Sequence, residues 1–410
     1  MSAQRASSYS WLVFALSFGL LMSDYMARQV LNAVNPLLKA EWALSDAEVA
    51  SLSSIVALAV GLLTFPLSLA ADRLGRVRSL TAMAVLWSLA TLAGAWSHSY
   101  GEMLAARLFV GVGEAAYGSV GIAVVLAVFP VHMRSTLASS FLAGTVIGQV
   151  MGVAVGGQVA ATHGWRTAFE LIGFFGLALA LLYPLVVRES RINRGPASEK
   201  VDFRSLLRLL FAKRVLWLSF FGSGIQMFCT GTLAVWLPSL LNRYYAMPVD
   251  RAGKTTALFL LICAVGMVSC GAISDRLAKN NPGVKPLLAS GFALGSAVLF
   301  GAAFFTAPGT AQLVFLGMAL FIVAAVAGIA GAMVANLTPQ AIHGTAMATL
   351  ALANNLLGLA PGPLIVGWLA DHIGLMEALR ILPIPCLLSA LSFALARRAY
   401  AHEMAARAEA

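Results

Sequence analysis

Charged residues are scarce in this sequence. Lys, Arg, Asp and Glu together make up 11% of the 410 residues, whereas hydrophobic residues make up 60%. A soluble globular protein normally carries about 25% charged residues, so the polar side chains here are too few to cover a soluble chain of 43.0 kDa. This composition excludes a water-soluble enzyme or binding module and indicates an integral membrane protein.

Cysteine is scarce as well, and its spacing excludes further classes. The four cysteines stand inside apolar runs without a C-x-x-C pair, so we expect neither a disulfide framework nor a metal site. No G-x-x-x-x-G-K-[ST] loop is present, which leaves ATP-driven transport without sequence support. No convergent nucleophile and base are visible either, so we expect a protein that is not an enzyme and that has no cofactor.

Long apolar stretches are what the sequence has instead. About 20 apolar residues are enough to cross the hydrocarbon core of a bilayer as a helix. Such stretches occur at 10–32, 49–70, 79–97, 102–127, 135–161, 167–187, 215–241, 252–273, 285–306, 311–335, 343–369 and 376–396. The first carries Asp24 and Arg28 and lacks a small-residue cleavage site, so we interpret it as a retained helix and not as a signal peptide. The sequence thus predicts twelve transmembrane helices.

The net charge of +10 comes from basic residues whose distribution among the loops indicates the topology of the chain. Nineteen of the 27 basic residues fall in the loops on the side of both termini, six fall in the opposite loops, and Arg28 and Arg107 lie within spans. Because basic loops stay in the cytoplasm, we predict cytoplasmic termini and a location in the plasma membrane, the inner membrane of a bacterium. The expected surroundings are the lipid bilayer, with no nucleic-acid partner and a monomeric state.

A short charged loop occurs twice, which indicates an internal duplication. The sequence reads A-D-R-L-G-R at 71–76 and S-D-R-L-A-K at 274–279, so that its aspartates lie 203 residues apart. We therefore predict two six-helix bundles, 1–187 and 215–410, joined by a basic cytoplasmic linker at 188–214. Duplicated bundles are typical of secondary transporters. Glycines in the fifth and eleventh spans favour close helix contacts and sliding.

These motifs resemble the major facilitator superfamily over nearly the whole chain. The loop at 68–76 resembles the G-x-L-x-D-R-x-G-R signature, and R-L-x-x-G-x-G-E-A at 107–115 and G-W-R-x-A-F at 164–169 resemble the Spinster-like branch and, secondly, the organic anion:cation symporters. The resemblance implies an all-α fold of two pseudo-symmetric bundles. It also implies gating roles for residues at the cytoplasmic helix ends, which here are Asp72, Arg73, Arg76, Arg134, Asp275 and Arg276. One departure is that the acid of the first helix, Asp24, stands three positions before its usual place.

Charged side chains inside the membrane are the candidate coupling residues, because holding one in hydrocarbon costs several kcal/mol. Asp24 and Arg28 are four residues apart on the first helix, and Arg107 and Glu114 are seven apart on the fourth. The resemblance implies that both helices line one cavity, so we expect the four to form a network. We predict Glu114 as the proton carrier, Asp24 as its partner or alternative, and the arginines as anion-binding or gating groups. A permanent ion-pair lattice is the alternative.

The second half contains no charge deep inside its spans. Its polar residues suit neutral hydrogen bonding and stacking. The predicted substrate contacts are therefore Arg107, Arg28, Tyr25 and Tyr117 in the first half and Gln226, Thr230, Trp236, Asn354 and Asn355 in the second. Hydrogen bonding between helices is the alternative for the amides, and a position at the membrane interface is the alternative for Trp236.

The sequence therefore predicts a secondary transporter that moves an organic anion or a zwitterionic amphipathic solute by alternating access, with protons as the coupling ion. A proton-driven efflux carrier for hydrophobic drugs and a lysolipid transporter are the alternatives. The substrate, the direction of transport and the choice between symport and antiport are left open.

Overall fold

The computed structural model describes residues 7–130, 133–192, 213–279, 283–339 and 342–409, and within these ranges all regular structure is helical. We number the spans α1 to α12. Their bounds are α1 Ser8–Trp42, α2 Asp46–Leu74, α3 Arg76–Ala95, α4 Tyr100–Ala127, α5 Arg134–His163, α6 Trp165–Val186, α7 Arg214–Tyr245, α8 Val249–Ala278, α9 Val284–Phe305, α10 Thr310–Leu337, α11 His343–Ile373 and α12 Leu375–Met404.

Twelve helices in the described ranges are long and apolar enough to cross a membrane. This confirms the all-helical, twelve-span prediction. The fold follows from the solvent, because in hydrocarbon every backbone N–H and C=O must find a partner inside the protein, which a helix provides for itself. Most of the linker at 188–214 lies outside the described residues, and its predicted bounds stay a prediction. Its first residues form a short 3₁₀ helix, Glu189–Arg191.

Three spans are interrupted near their middle. The fourth consists of Tyr100–Glu114 and Tyr117–Ala127, and the tenth of Thr310–Val323 and Ala325–Leu337. The eleventh passes through a π-helical turn at Asn355–Leu359 before it resumes at Pro361. Breaks and π turns within membrane helices free backbone groups and are common at functional sites.

Glycines of α5 and α11 let each of these helices touch a neighbour backbone to backbone. A methyl group on Gly148 would lie 2.5 Å from the Met22 carbonyl oxygen of α1. In the second half, a methyl group on Gly358 would lie 2.4 Å from the Gly224 carbonyl oxygen of α7. The two contacts are related by the sequence duplication, because α1 and α7, like α5 and α11, hold the same places in the two repeats. The close approach predicted for these glycines is therefore present.

The chain divides into two compact units that do not follow the sequence halves. The first comprises 1–44, 51–197 and 241–258, and the second comprises 45–50, 198–240 and 259–410. The first turn of α2 therefore groups with the second unit, and the end of α7 and the start of α8 group with the first.

We predict that Gly266→Ala disrupts the second unit. The added methyl group would lie 1.7 Å from the carbonyl oxygen of Phe321, and because that atom is backbone, no rotamer change relieves the clash. Overpacking of this kind costs about 1–3 kcal/mol or more. We expect a lower Tm and a smaller monodisperse fraction in detergent.

Gly271→Ala on the same helix is the matched control, because a methyl group there meets no atom within 4 Å. Alanine is the better helix former by about 1 kcal/mol, so its Tm should stay the same or rise. Equal behaviour of the two variants would contradict this account of α8.

Candidate functional site

An ionic cluster lies between α1 and α4 in the first unit. The Nε atom of Arg28 donates to Oε2 of Glu114 at 2.5 Å and lies 3.8 Å from Oδ1 of Asp24. The side chains of Glu114 and Asp24 are 0% and 4% exposed, and that of Arg28 is 21% exposed. One guanidinium thus faces two carboxyl groups that are almost fully removed from water, and the structure brings together three of the four residues predicted to form a network.

The helical period places these groups. Asp24 and Arg28 are one turn apart, so they share a face of α1. The acid that stands three residues before its usual place still reaches the cluster, since a shift of almost one turn returns a side chain to a similar face. The ring of Tyr25 lies beneath the same guanidinium, 5.3 Å from its Cζ atom to the ring centroid.

Arg107 is the fourth predicted member, and its bonding differs from that of Arg28. It is 2% exposed. Its Nη1 donates to the carbonyl oxygen of Ala27 at 2.9 Å and its Nε to that of Leu52 at 3.4 Å. Among the described residues no carboxylate lies within 4.0 Å of it, although it interacts electrostatically with Glu114 and Arg28. It is therefore a buried cation that is held by neutral dipoles and has no ion-pair partner in the part of the chain that the structure describes.

The two carboxyl groups lie beside the same guanidinium, and each keeps one oxygen without a donor. Oδ1 of Asp24 and Oε1 of Glu114 have no hydrogen-bond partner among the described residues. An ionised carboxylate only accepts, whereas a protonated carboxyl group can also donate. The site therefore has unused hydrogen-bonding capacity next to Arg28.

The break in α4 falls directly after Glu114. It frees the carbonyl oxygen of Ala115, which accepts a hydrogen bond from Oγ1 of Thr64 at 2.7 Å. Gly111 and Gly113 precede the acid on the same helix, and methyl groups there would lie 2.8 Å from Ala59 and from the backbone of Trp87. Tight packing thus fixes the backbone that carries Glu114.

Tyr117 is the predicted contact that the structure places elsewhere. It is completely buried. Its hydroxyl donates to the carbonyl oxygen of Ser17 at 2.8 Å, and its ring packs edge-on against Trp87 with centroids 5.0 Å apart. The turn at 115–116 rotates this residue into the core, so its hydroxyl proton is already used. This placement argues against the substrate contact predicted for it.

The predicted residues of the second half line the contact between α7 and α11. Ser223 donates to Oδ1 of Asn354 at 2.8 Å, and Nδ2 of Asn355 donates to the carbonyl oxygen of Ala351 within its own helix. The indole of Trp236 donates to the carbonyl oxygen of Pro363 at 3.1 Å. Trp236 is completely buried, so it is not the interfacial anchor that was the alternative for it.

Several polar atoms in this region have no partner among the described residues. They are both amide atoms of Gln226, Oγ1 of Thr230 and Oδ1 of Asn355. A buried polar group without a partner costs about 1–3 kcal/mol. These atoms can still form further hydrogen bonds beside the π turn. The roles predicted for Gln226, Thr230, Asn354 and Asn355 stay predictions.

The predicted gating loops are described in part. The side chains of Asp72 and Arg134 lie outside the described residues. Arg73 and Arg276 are exposed and Arg76 is half-buried. Oδ1 of Asp275 lies 3.1 Å from Nζ of Lys285, which ties the end of α8 to the start of α9.

Sequence reasoning missed the acid that caps α3. Oε1 and Oε2 of Glu189 accept the backbone N–H groups of Arg76 and Val77 at 2.9 and 2.8 Å. Gly75, with φ 103°, makes the turn before them. An acid directly after the sixth span and a glycine at the start of the third were visible, but nothing in the sequence linked positions 113 residues apart.

The G-W-R motif has a structural explanation. The indole of Trp165 donates to Oε2 of Glu41 at 2.6 Å, and Nη1 of Arg166 donates to Oε1 of the same carboxylate at 2.8 Å. The guanidinium also stacks over the indole, 4.2 Å from its centroid. This cluster joins the end of α1 to the start of α6 and lies at the ends of the helices opposite the two termini.

Twelve apolar helices, an internal duplication and charges buried in the bundle together define a membrane carrier. The family model of the Major Facilitator Superfamily matches residues 17–360. The chain belongs to this superfamily, and it is accordingly a transporter and not an enzyme.

Relatives and solved structures agree with this assignment. The chain is 27% identical to the probable L-galactonate transporter of Escherichia coli strain K12, over 75% of this chain and 71% of that protein. It is 25% identical to Protein spinster homolog 1 of Bos taurus, over 90% and 74%. The crystal structure of a bacterial homologue of the human lysosomal transporter Spinster, inward-facing and unoccupied, superposes with a TM-score of 0.86 at 20% identity and covers 97% of this chain and 99% of that one. The predicted resemblance to both branches is confirmed.

We expect Tyr117→Phe to affect stability and not substrate binding. It removes one buried hydrogen bond to Ser17, which is worth about 1 kcal/mol, and leaves the ring packing intact. The Tm should fall by a few degrees, while the KM for transport stays within about twofold of the parent value. A large increase in KM with an unchanged Tm would restore the substrate contact that the sequence predicted.

Proposed function

We propose that this protein is a proton-coupled carrier of organic anions that works by alternating access in a bacterial inner membrane, with both termini in the cytoplasm. The observation that carries the proposal is the cluster of Asp24, Glu114 and Arg28, together with the buried Arg107 nearby, for which the described residues offer no carboxylate within 4.0 Å. The excess of basic residues in the loops on the side of the termini supports the orientation.

The charges of the cluster provide a coupling mechanism. With both acids ionised, the two negative charges of Asp24 and Glu114 balance the two positive charges of Arg28 and the nearby Arg107. One proton shared between the acids leaves a net charge of +1. A buried uncompensated charge is unfavourable, and an organic anion that binds beside Arg107 neutralises it. Proton and anion therefore favour each other's binding, and by linkage the effect is equal in both directions.

A carboxylate is the anion that these residues fit best. An arginine can present two parallel N–H groups to a carboxylate, and the L-galactonate transporter similar to this chain carries such a substrate by its name.

A thermal-shift screen tests the substrate class. Purified protein is heated at two pH values with L-galactonate, gallate, lysophosphatidylcholine or the hydrophobic cation ethidium, because a ligand stabilises the state that it binds. Galactitol is the matched control for L-galactonate, since it keeps the hydroxyl groups and lacks the carboxylate. We expect a shift with a carboxylate, larger at the lower pH, and none with galactitol. A shift with lysophosphatidylcholine alone or with ethidium alone would favour the lysolipid or the drug-efflux alternative.

Glu114→Gln should abolish proton-driven accumulation and leave part of the exchange activity. Glutamine imitates the protonated acid and can still accept from Arg28, but it cannot release a proton. The measurement compares uptake driven by a pH gradient with counterflow of the same radiolabelled carboxylate in proteoliposomes. Glu102→Gln is the control, because this exposed acid on the same helix accepts from the backbone of His98. Normal accumulation by Glu114→Gln would exclude Glu114 as the proton carrier.

Arg107→Ala should weaken binding of the anion. Loss of a charge-assisted hydrogen bond costs about 1.5–3 kcal/mol, so we expect the Kd from a ligand titration of the Tm to rise about tenfold or more. Arg107→Lys keeps the charge and should lose less. If the affinity of Arg107→Ala equals that of the parent protein while uptake is lost, Arg107 acts as a gate and not as an anion site.

A further inference from the structure

Two of the four cysteines lie side by side in the second unit. Sγ of Cys229 on α7 lies 3.4 Å from Sγ of Cys386 on α12, and both side chains are completely buried. Both residues are free thiols. They stand 157 positions apart in the chain, so the pair becomes visible only where α7 and α12 pack together.

The two helices meet along one stripe that continues to the cysteines. Oγ of Ser392 donates to the carbonyl oxygen of Leu218 at 2.8 Å, and Oγ of Ser389 donates to that of Gly222 at 2.7 Å. A methyl group on Gly222 would lie 2.7 Å from the ring of Phe393. The numbers rise along α7 while they fall along α12, so the helices run antiparallel, and the cysteines come two turns later on α7 and one turn earlier on α12. These contacts fix the two helices against each other next to the thiols.

The thiols are arranged so that they can react with each other. Sγ of Cys229 donates to the carbonyl oxygen of Leu382 at 3.3 Å, one turn before Cys386 on α12. A thiolate is the reactive form of cysteine, and a thiolate on Cys386 has the S–H of Cys229 beside it as a donor. The sulfur atoms of a disulfide lie about 2.0 Å apart, so closure from 3.4 Å requires an approach of about 1.4 Å.

The first repeat has no thiol at the corresponding positions. Gly164 and Gly374 precede α6 and α12 with φ of 87° and 86°, so these helices align 210 residues apart and place Gly176 at the position of the α12 thiol. Ala27 of α1 stands at the position of the α7 thiol, because the residues before the two contact equivalent glycines of α5 and α11. The duplicated packing therefore does not require sulfur, and only the second repeat adds the pair.

We propose that Cys229 and Cys386 form a redox-active thiol pair, a modification site at which a small apolar disulfide from the bilayer creates a disulfide bond between α7 and α12. The thiolate of one cysteine attacks the reagent, which leaves a mixed disulfide on that sulfur and releases one reagent thiol. The other cysteine then attacks the protein sulfur of the mixed disulfide and releases the second reagent thiol. Two protein S–H bonds and one reagent S–S bond break, one protein S–S bond and two reagent S–H bonds form, and two electrons pass from the cysteines to the reagent.

Burial selects the reagent and favours the second step. Both sulfur atoms lie inside apolar spans, so a charged oxidant has to give up its hydration to reach them, whereas an apolar disulfide does not. Once one sulfur carries the mixed disulfide, the other is already beside it, and an attack within one molecule has a large advantage over one between molecules. The site does not depend on which solute the protein carries.

Reaction with dithiodipyridine tests the pair, because this reagent is a small apolar disulfide. The full chain in lipid nanodiscs is reduced, freed of reductant, treated with the reagent, denatured in N-ethylmaleimide and digested for mass spectrometry. We expect a cross-linked peptide that contains Cys229 and Cys386, lacks both thiol hydrogens and carries no thiopyridyl group. Cys263 and Cys270 are the internal control, since they stand seven residues apart on α8, about 10 Å along the helix. They should carry a thiopyridyl group or N-ethylmaleimide and form no cross-link.

Variants show whether the reaction needs both sulfur atoms in place. In Cys386→Ser, Cys229 should keep the thiopyridyl group, because no second thiol displaces it. A displaced pair, Cys386→Ala with Leu387→Cys, is the matched control, since Leu387 is the next residue of α12 and is 48% exposed. The cross-linked fraction of the parent protein should exceed that of the displaced pair by at least about tenfold. No cross-link in the parent protein, or an equal amount in the displaced pair, would overturn the proposal.

The Tm provides a second measurement. A bond that closes a long loop restricts the unfolded chain, so the oxidised parent protein should melt several degrees above the reduced protein, and a reductant should reverse the gain. A cross-link without a gain in Tm would mean that the bond forms after the helices separate, which also contradicts the proposal. If Cys386→Ser is not monodisperse, the parent protein and the displaced pair still decide the question. Failure of these tests leaves the proposed carriage of anions untouched, because no solute is present.

Discussion

Two buried carboxyl groups and the half-buried guanidinium between them, at the contact of α1 with α4, are the arrangement on which the rest of this protein depends. Opposite charges this deeply buried stabilise each other only at short range, so Glu114 and Arg28 require a rigid support. The glycine contacts of α4, the break after Glu114 and the close contact of α1 with α5 provide it. Arg107, which donates to the carbonyl oxygens of Ala27 and Leu52, adds a second buried positive charge.

The duplication explains why the two halves share packing and differ in chemistry. Glycine lets the backbones approach in both repeats, at Gly148 and at Gly358, because helix contact has to be preserved wherever two bundles are built alike. Side chains outside those contacts are free to diverge. The first repeat carries the ionisable cluster, and the second carries neutral amides beside a π turn.

Sequence reasoning predicted what depends on local pattern. The twelve spans follow from runs of apolar residues, and the face shared by Asp24 and Arg28 follows from the helical period. Tyr117 shows where the reasoning ends, because a two-residue irregularity after Glu114 rotated it into the core and no residue type marked that turn. Glu189 was missed for another reason, since it caps a helix that begins 113 residues before it.

The sequence by itself determined the membrane setting, the number of helices and the duplication. It also identified the few charged residues inside apolar spans, which are functional candidates because a charge in hydrocarbon is costly. Each of these is a property of composition or of spacing along one helix. The tertiary structure alone decided that Arg28 pairs with Glu114, that Arg107 bonds to carbonyl oxygens, and that α3 begins against an acid 113 residues further along the chain. Such pairings depend on which helices are neighbours and at what depth, and a one-dimensional pattern does not contain that information.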